Sequence, residues 1–252
     1  MSYGMYLSAE GAKAQSRRLE VISNNMANVN TVGFKPDVAI FQARFAEAIQ
    51  QGDVAPGMKG LPDIGGGVKT IETRTSFAPG KLERTGNSGD VAILGDGYFA
   101  VEPETGDKPL LSRAGSFRVD AQNRLVMADS GRPVLSAGGA PVLLDPTQTY
   151  AITADGYVEQ GDEQTPLALV KPNSNDDLQK IGGNLFESRA EVFPVPAAQR
   201  EVAQGFLEMS GANSTEQMMQ LIETNRAFEA NTQMIRHQDT ATGSLISRLL
   251  GA

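Results

Sequence analysis

Few residues of this chain have a type and spacing that could do covalent chemistry. Glu102, Glu104 and Asp107 lie close together, and a glycan hydrolase needs such a group, one carboxyl to protonate the leaving oxygen and another to act as base or nucleophile. Three acids on one loop are usually just solvated, however. The single histidine, His237, falls between Ile235 and Asp239 of a helical pattern; one imidazole with no second ligand makes neither a metal site nor a catalytic dyad. GGGVKT at 65–70 has the glycines of a phosphate loop, but Lys69 follows Val68 instead of Gly, and the next residues read as strand where a phosphate loop opens a helix. Met209, Met218, Met219 and Met234 lack a His or Cys to complete a soft metal site, and packing is the better use of them. With no cysteine, disulfides, thiolate ligands and thiol nucleophiles are excluded. The expectation is therefore no catalytic residue, no cofactor and no metal.

The polar residues that remain lie on helices and are spaced for contact. Arg226 and Glu229 are three apart on one helical face, with Asn225 and Asn231 near them. They can pair locally, worth a few tenths of a kcal/mol, or bond across to a neighbouring helix. Positioning them is a long helix whose start is marked by Asn213 with Glu216 three residues on, a capping-box spacing. Steps of three and four along it pick out Met218, Leu221, Asn225, Phe228, Thr232, Ile235, Asp239, Thr242, Ile246 and Leu249 as a heptad-like seam. A first helix over 3–29 carries a weaker seam of Met5, Ala12, Leu19, Ile22, Met26 and Val29.

Between the helices, VKTIETR, DVAIL, YFAVE, SFRV, RLVM, PVLL, YAIT, YVE and LALV are separated by turns at Gly95-Asp96-Gly97, Gln122-Asn123, Gly138-Gly139 and Asp155-Gly156. Short β-branched and aromatic runs with frequent turns predict a mainly antiparallel β domain. Gly95-Asp96-Gly97 in particular reads as a tight hairpin. The fold class is α+β, with N- and C-terminal helices paired as a coiled-coil-like region flanking that domain. The divisions are 1–33 for the first helix, 34–67 for a connector (a short helix or an extended piece, then a Gly/Pro-rich loop), 68–205 for the β domain and 206–252 for the last helix.

The chain has 252 residues, 40% of them hydrophobic, and a net charge of −8. Residues 1–30 and 213–252 are almost neutral, so the acidity sits in the middle and the helices can bundle without self-repulsion. No basic run exceeds Arg17-Arg18, which argues against nucleic acid as a partner. No segment approaches the roughly 20 apolar residues of a membrane span, and the first residues lack the pattern of a cleavable signal.

The string Asn24-Asn25-Met26-Ala27-Asn28-Val29-Asn30-Thr31-Val32-Gly33-Phe34-Lys35 resembles the signature of the bacterial flagellar rod and hook proteins. DVAILGDGYFAVE (90–102), LSRAGSFRVDAQNRLVMADSGRPVL (111–135) and the Arg226-Ala227-Phe228-Glu229-Ala230-Asn231 run of the last helix resemble other stretches of that family. Within it, GKLERTGNSGDVAILGDGYF (80–99) looks closer to proximal than to distal rod proteins. The resemblance implies terminal helices packed into a tubular core with the β domain outside, a structural subunit that assembles with itself and other rod and hook-basal-body proteins, export through the flagellar type III apparatus, and a place in the rod across the periplasm.

In the signature, Gly33 can take a positive φ, Asn28 or Thr31 can bond the free groups of the helix end, Phe34 anchors the connector by burial, and Pro36 makes Lys35 extended. Together with Asn24, Asn25 and Ala27 and the last-helix residues Met218, Leu221, Asn225, Arg226, Phe228, Glu229, Asn231, Ile235, Ile246 and Leu249, these are the candidate assembly residues. The alternative is an exported β-rich binding module whose terminal helices form an oligomeric stalk, with a cell-wall glycan hydrolase behind it.

Overall fold

The computed structural model describes residues 3–43, 68–104, 106 and 108–250. Asp107 and the Gly/Pro-rich loop up to residue 67, including the first three glycines of GGGVKT, lie outside them. The fold is α+β: helix α1 (Tyr3–Ala27) comes first, helix α2 (Ser214–Leu250) last, and short antiparallel strands fill the order between. No helix is long and apolar enough to cross a membrane among the described residues.

Contacts divide the chain into two compact units. One, the helical unit, takes residues 1–27, 37–75 and 213–252; the other, the β unit, takes 28–36 and 76–212. These divisions cut across the segments read from sequence. Residues 28–36 and 206–212 side with the β unit, because Phe206–Glu208 is a strand paired with Leu82–Arg84, so the last helix starts at Ser214 and not at 206.

In the helical unit, strand β1 (Asp37–Ala43) pairs antiparallel with β2 (Val68–Thr75), with a bulge between Ile40 and Phe41. Of the residues read as a short helix or extended connector, 37–43 are therefore strand. α2 is 37 residues long, about 55 Å at 1.5 Å per residue. Asn213 caps it through Oδ1, which accepts from the amides of Thr215 at 3.0 Å and Glu216 at 3.4 Å. Only half of the expected capping box forms, since the Glu216 carboxylate takes Gln220 instead.

α1 and α2 run antiparallel in a register that the glycines reveal. A Cβ on Gly4 would lie 2.7 Å from Gln238, and one on Gly11 3.0 Å from Asn231; at the far end Asn25 reaches Gln217 at 3.4 Å. Partners thus advance by seven on one helix as they fall by seven on the other, which is heptad packing, and the same progression sets Arg18 across from buried Thr224.

The β unit contains β3 (Leu82–Arg84), β4 (Val91–Ile93), β5 (Tyr98–Val101), β6 (Leu110–Ser112), β7 (Phe117–Val119), β8 (Leu125–Met127), β9 (Ala151–Ile152), β10 (Tyr157–Gln160) and β11 (Glu163–Pro166). It continues with β12 (Leu169–Pro172), β13 (Leu178–Gly182), β14 (Leu185–Ser188), β15 (Val192–Pro194), β16 (Val202–Gln204) and β17 (Phe206–Glu208). Its largest sheet has the order β13-β14-β6-β5-β12-β15. All four residues of β5 are buried, because alternate side chains enter two cores: Phe99 packs edge-on to Phe117 in the main one, and Tyr98 joins Phe186 and Phe77 in the other.

Two expectations change here. β4 pairs with β16 while β5 lies in the six-stranded sheet, so Gly95-Asp96-Gly97 turns the chain from one sheet to another and closes no hairpin. Arg113 holds that turn by donating to the carbonyls of Ile93 and Gly95. PVLL at 141–144 makes only single bridges, at Pro141 and Leu143.

Candidate functional site

Between Ala27 and Asp37 the chain leaves helix without entering strand, and backbone groups there need partners from elsewhere. The β unit supplies them. Val32 accepts from Asn184 Nδ2 at 2.8 Å, the Gly33 amide donates to the Glu208 carbonyl at 2.7 Å, and Phe34 accepts from the Gly211 amide at 2.9 Å. Lys35 accepts from Lys180 Nζ at 2.8 Å, and Pro36 from the Ser76 amide at 2.7 Å. Residues 28–36 are thus a strap sewn down at successive carbonyls.

The strap's side chains explain its residue types. Gly33 has φ +68°, and a Cβ there would lie 2.4 Å from the Ala114 nitrogen, so conformation and space both demand glycine. Phe34 is buried, with Lys180 Nζ 4.1 Å from its ring centroid, a cation–π contact. At the helix end Thr31 donates through its hydroxyl to Asn28 Oδ1 at 3.2 Å and through its amide to the Asn28 carbonyl.

Lys35, which sequence reasoning used only as the residue before Pro36, is the centre of the site. Its ammonium is 2% exposed and 2.6 Å from Glu208 Oε1, itself 2% exposed. It also donates to the Ala78 carbonyl at 2.9 Å. Glu208 Oε1 accepts in addition from the Gly80 amide, and Arg113 stands 3.5 Å from Glu208 Oε2, with its guanidinium 5.2 Å from the Tyr98 ring centroid. Burial is the chief force on Lys35 and lowers its pKa against the pull of Glu208. Burial also pushes the Tyr98 hydroxyl up to about 12. A buried lysine, glutamate and arginine together look like catalytic machinery, but every contact closes inward onto backbone, ring or counter-charge. The signal available in the sequence was only a lysine adjoining a buried aromatic; Glu208 and Arg113 carry no local mark of their role.

A second cluster lies in the helical unit, around Asn25. Its Nδ2 donates to the Asp37 carbonyl at 2.8 Å and its Oδ1 accepts from the Asp37 amide at 2.9 Å, so one side chain continues the strand ladder, as a neighbouring strand would. The same amide reaches Gln217, which joins α1, β1 and α2 at one point. Asn24 and Ala27 are exposed on α1.

Along α2 the seam read from sequence meets α1 in part. Leu221, Phe228 and Ile235 are partly buried, but the positions read as Met218 and Asn225 are taken by Gln217 and Thr224, one residue earlier, and both are buried. The cause lies on α1, which presents Asn25, Arg18, Gly11 and Gly4 along that line, small or polar groups that seat Gln, Thr and Asn better than Met. Asn231 therefore faces Gly11, while Met218, Asn225, Arg226, Glu229, Ile246 and Leu249 are exposed. Glu229 accepts from Asn225 at 3.3 Å instead of pairing with Arg226.

Glu104 pairs with Arg132 at 2.8 Å and is mostly solvated, and His237 is exposed on α2. No group of three or more His, Asp or Glu is placed to hold a metal ion among the described residues.

Three family profiles match this chain: one described as flagella basal body rod protein over residues 5–35, one as the flagellar hook protein FlgE/F/G D1 domain over 92–160, and one as the flagellar basal body rod FlgEFG protein C-terminal over 203–248. Full-length similarity agrees. The chain is 30% identical to the flagellar basal-body rod protein FlgG of Bacillus subtilis, covering 98% of this chain and 99% of that one. It is 32% identical to the rod protein FlgF of Rhizobium meliloti over 100% of both, and 29% identical to FlgF of Caulobacter vibrioides over 99% and 98%.

Proposed function

This chain belongs to the flagellar basal-body rod proteins and is a structural subunit of the rod, and on that premise we propose how it works there. It assembles helically with copies of itself and with other rod and hook-basal-body proteins, through contacts that repeat without closing and so build a shaft. The shaft transmits torque and encloses the export channel, and the subunit reaches it through the flagellar type III apparatus. Its role is geometric, with no catalysis.

The observation that carries this reading is the contrast along α2: it buries Gln217 and Thr224, leaves Leu221, Phe228 and Ile235 partly buried, and turns Met218, Met219, Ile222, Ile246 and Leu249 outwards. Exposed apolar residues recurring on a long helix mark surface meant for other chains. The signature residues Asn25, Gly33 and Phe34 then serve assembly indirectly, by fixing the ends of α1 and β1 and the strap within their own units.

We also place the subunit in the proximal rod, on the stretch 80–99. The relatives carry both FlgF and FlgG names at similar identity, so this rests on that stretch alone. Mass spectrometry of hook-basal-body complexes purified from the source cells tests the whole reading. The chain is expected in amounts comparable with known rod subunits; its absence from intact complexes would move the assignment to an exported stalk-bearing module.

A further inference from the structure

The strap is tied to parts of the chain far from it in sequence. Lys35 donates to the Ala78 carbonyl, 43 residues on, and accepts from Lys180, 145 on. Val32 accepts from Asn184, 152 on, and Lys35 pairs with Glu208, 173 on. Closing such long loops costs entropy before any contact offsets it. The slot that receives the strap must also exist first. Its floor is the backbone at Arg113 and Ala114, between β6 and β7, which a Cβ on Gly33 would strike. Its cover is Glu208 to Gly211, bonded to Gly33 and Phe34 and so close that a Cβ on Gly211 would lie 2.9 Å from Pro36.

The cores of the β unit are built without the strap. The buried residues of the main core run from Val91 to Val202, and of the strap only Val32 packs against it, partly buried. Phe34 is buried yet belongs to neither core. What holds the strap is mostly polar, with the Lys35 and Glu208 side chains each 2% exposed at its centre. A buried ion pair is favourable only when its geometry is complete, because both charges lose water before their bonds are made. Arg113 Nε and Glu208 Oε2 lack a hydrogen bond even in the finished cluster, so a half-formed one would be worse. Such contacts form after the folding barrier and not on it.

We propose that residues 28–36 are a latch, which closes on the β unit after its cores have formed and, once closed, sets how slowly that unit unfolds. Interactions absent from the folding transition state slow unfolding without slowing folding, and the unfolding rate governs resistance to force and to irreversible inactivation. Closure also waits for Glu208 and Gly211, so a chain that emerges from its N-terminal side stays unlatched until both have followed. The latch goes beyond the rod reading and does not depend on it.

Stopped-flow unfolding and refolding of the full-length chain in urea, followed by tyrosine fluorescence, tests this. Glu208→Gln is expected to unfold about tenfold faster or more. Lys180→Met, which removes one donor to the strap and leaves the ion pair in place, is expected to unfold a few-fold faster. Both should refold within about twofold of the wild-type rate. Val101→Ala, in the main core, is the contrast and is expected to slow refolding as well. Refolding slowed by the strap variants by as large a factor as unfolding is accelerated would put the strap in the folding nucleus and overturn the latch. Unfolding rates left unchanged by both variants would overturn it too, and if Glu208→Gln does not fold, Lys180→Met decides alone.

Discussion

The strap and the helix seam are both made of polar residues placed against a helix end or face, yet they solve opposite problems. In the strap, Lys35 and Phe34 are almost wholly excluded from solvent, as is Glu208 of β17 that pairs with Lys35, and hydrogen bonds to the backbone follow one another from Val32 to Pro36. In the seam, α1 offers glycines and polar side chains, and most of the larger apolar residues of α2 point away from it. The β unit thus buries its charged groups against one another, leaving only Arg113 Nε and Glu208 Oε2 as buried side-chain atoms without a hydrogen bond among its described residues, while the helical unit keeps its better hydrophobic surface in reserve. A subunit that joins a shaft gains from that division when the unfinished part is the part that meets its neighbours.

The division can be probed by removing one group at a time. Glu208→Ala leaves the Lys35 ammonium buried without its counter-charge, and loss of one partner of such a pair costs about 3–5 kcal/mol. Denaturant unfolding of the β unit should register nearly all of it, with the helical unit's circular dichroism at low denaturant unchanged. Asn25→Ala removes both bonds to Asp37 and is expected to cost about 1–3 kcal/mol. Here the loss should fall in the helical unit alone, seen as faster amide exchange at Asp37 and through β1 with the β-unit midpoint constant. Asn213→Ala strips the cap of α2, and about 1 kcal/mol of helix stability should go with it, read as faster exchange in the first turn.

The smallest effect is that of pH. Burial holds the Lys35 pKa below its ordinary 10.5, so the unfolded chain takes up that proton at a higher pH than the folded one. The contribution of Lys35 to stability therefore rises as pH climbs from the lowered value towards 10.5, is level above, and is lost on the way down. Measured as wild type minus Lys35→Met, the unfolding free energy should rise over that window. A difference that falls with rising pH would mean that the ion pair outweighs burial.

Much of this was legible in the sequence, for reasons that separate local from distant causes. The α+β layout, the Asn213 cap, the need for glycine at 33 and the burial of Phe34 follow from propensity and short-range spacing. Positive φ at Asn123, Gly139 and Gly156 likewise agrees with turns read from residue type. The buried ion cluster was not legible, because Lys35, Arg113 and Glu208 are brought together only by the fold. Hydrophobic periodicity favours Met218 over Gln217, and only Asn25 of α1, which bonds Gln217, explains why Gln217 is the buried one. The strand at 206–208 was hidden by its nearness to the helix start.

Hydrogen exchange with mass spectrometry on a verified monomer gives the sharpest test of the division. Slow exchange is expected through residues 28–36 and the strands of the β unit, with fast exchange through 3–27 and 218–249. Protection of 218–249 as strong as that of the β unit would contradict the account, because the helices would then be complete without a neighbour.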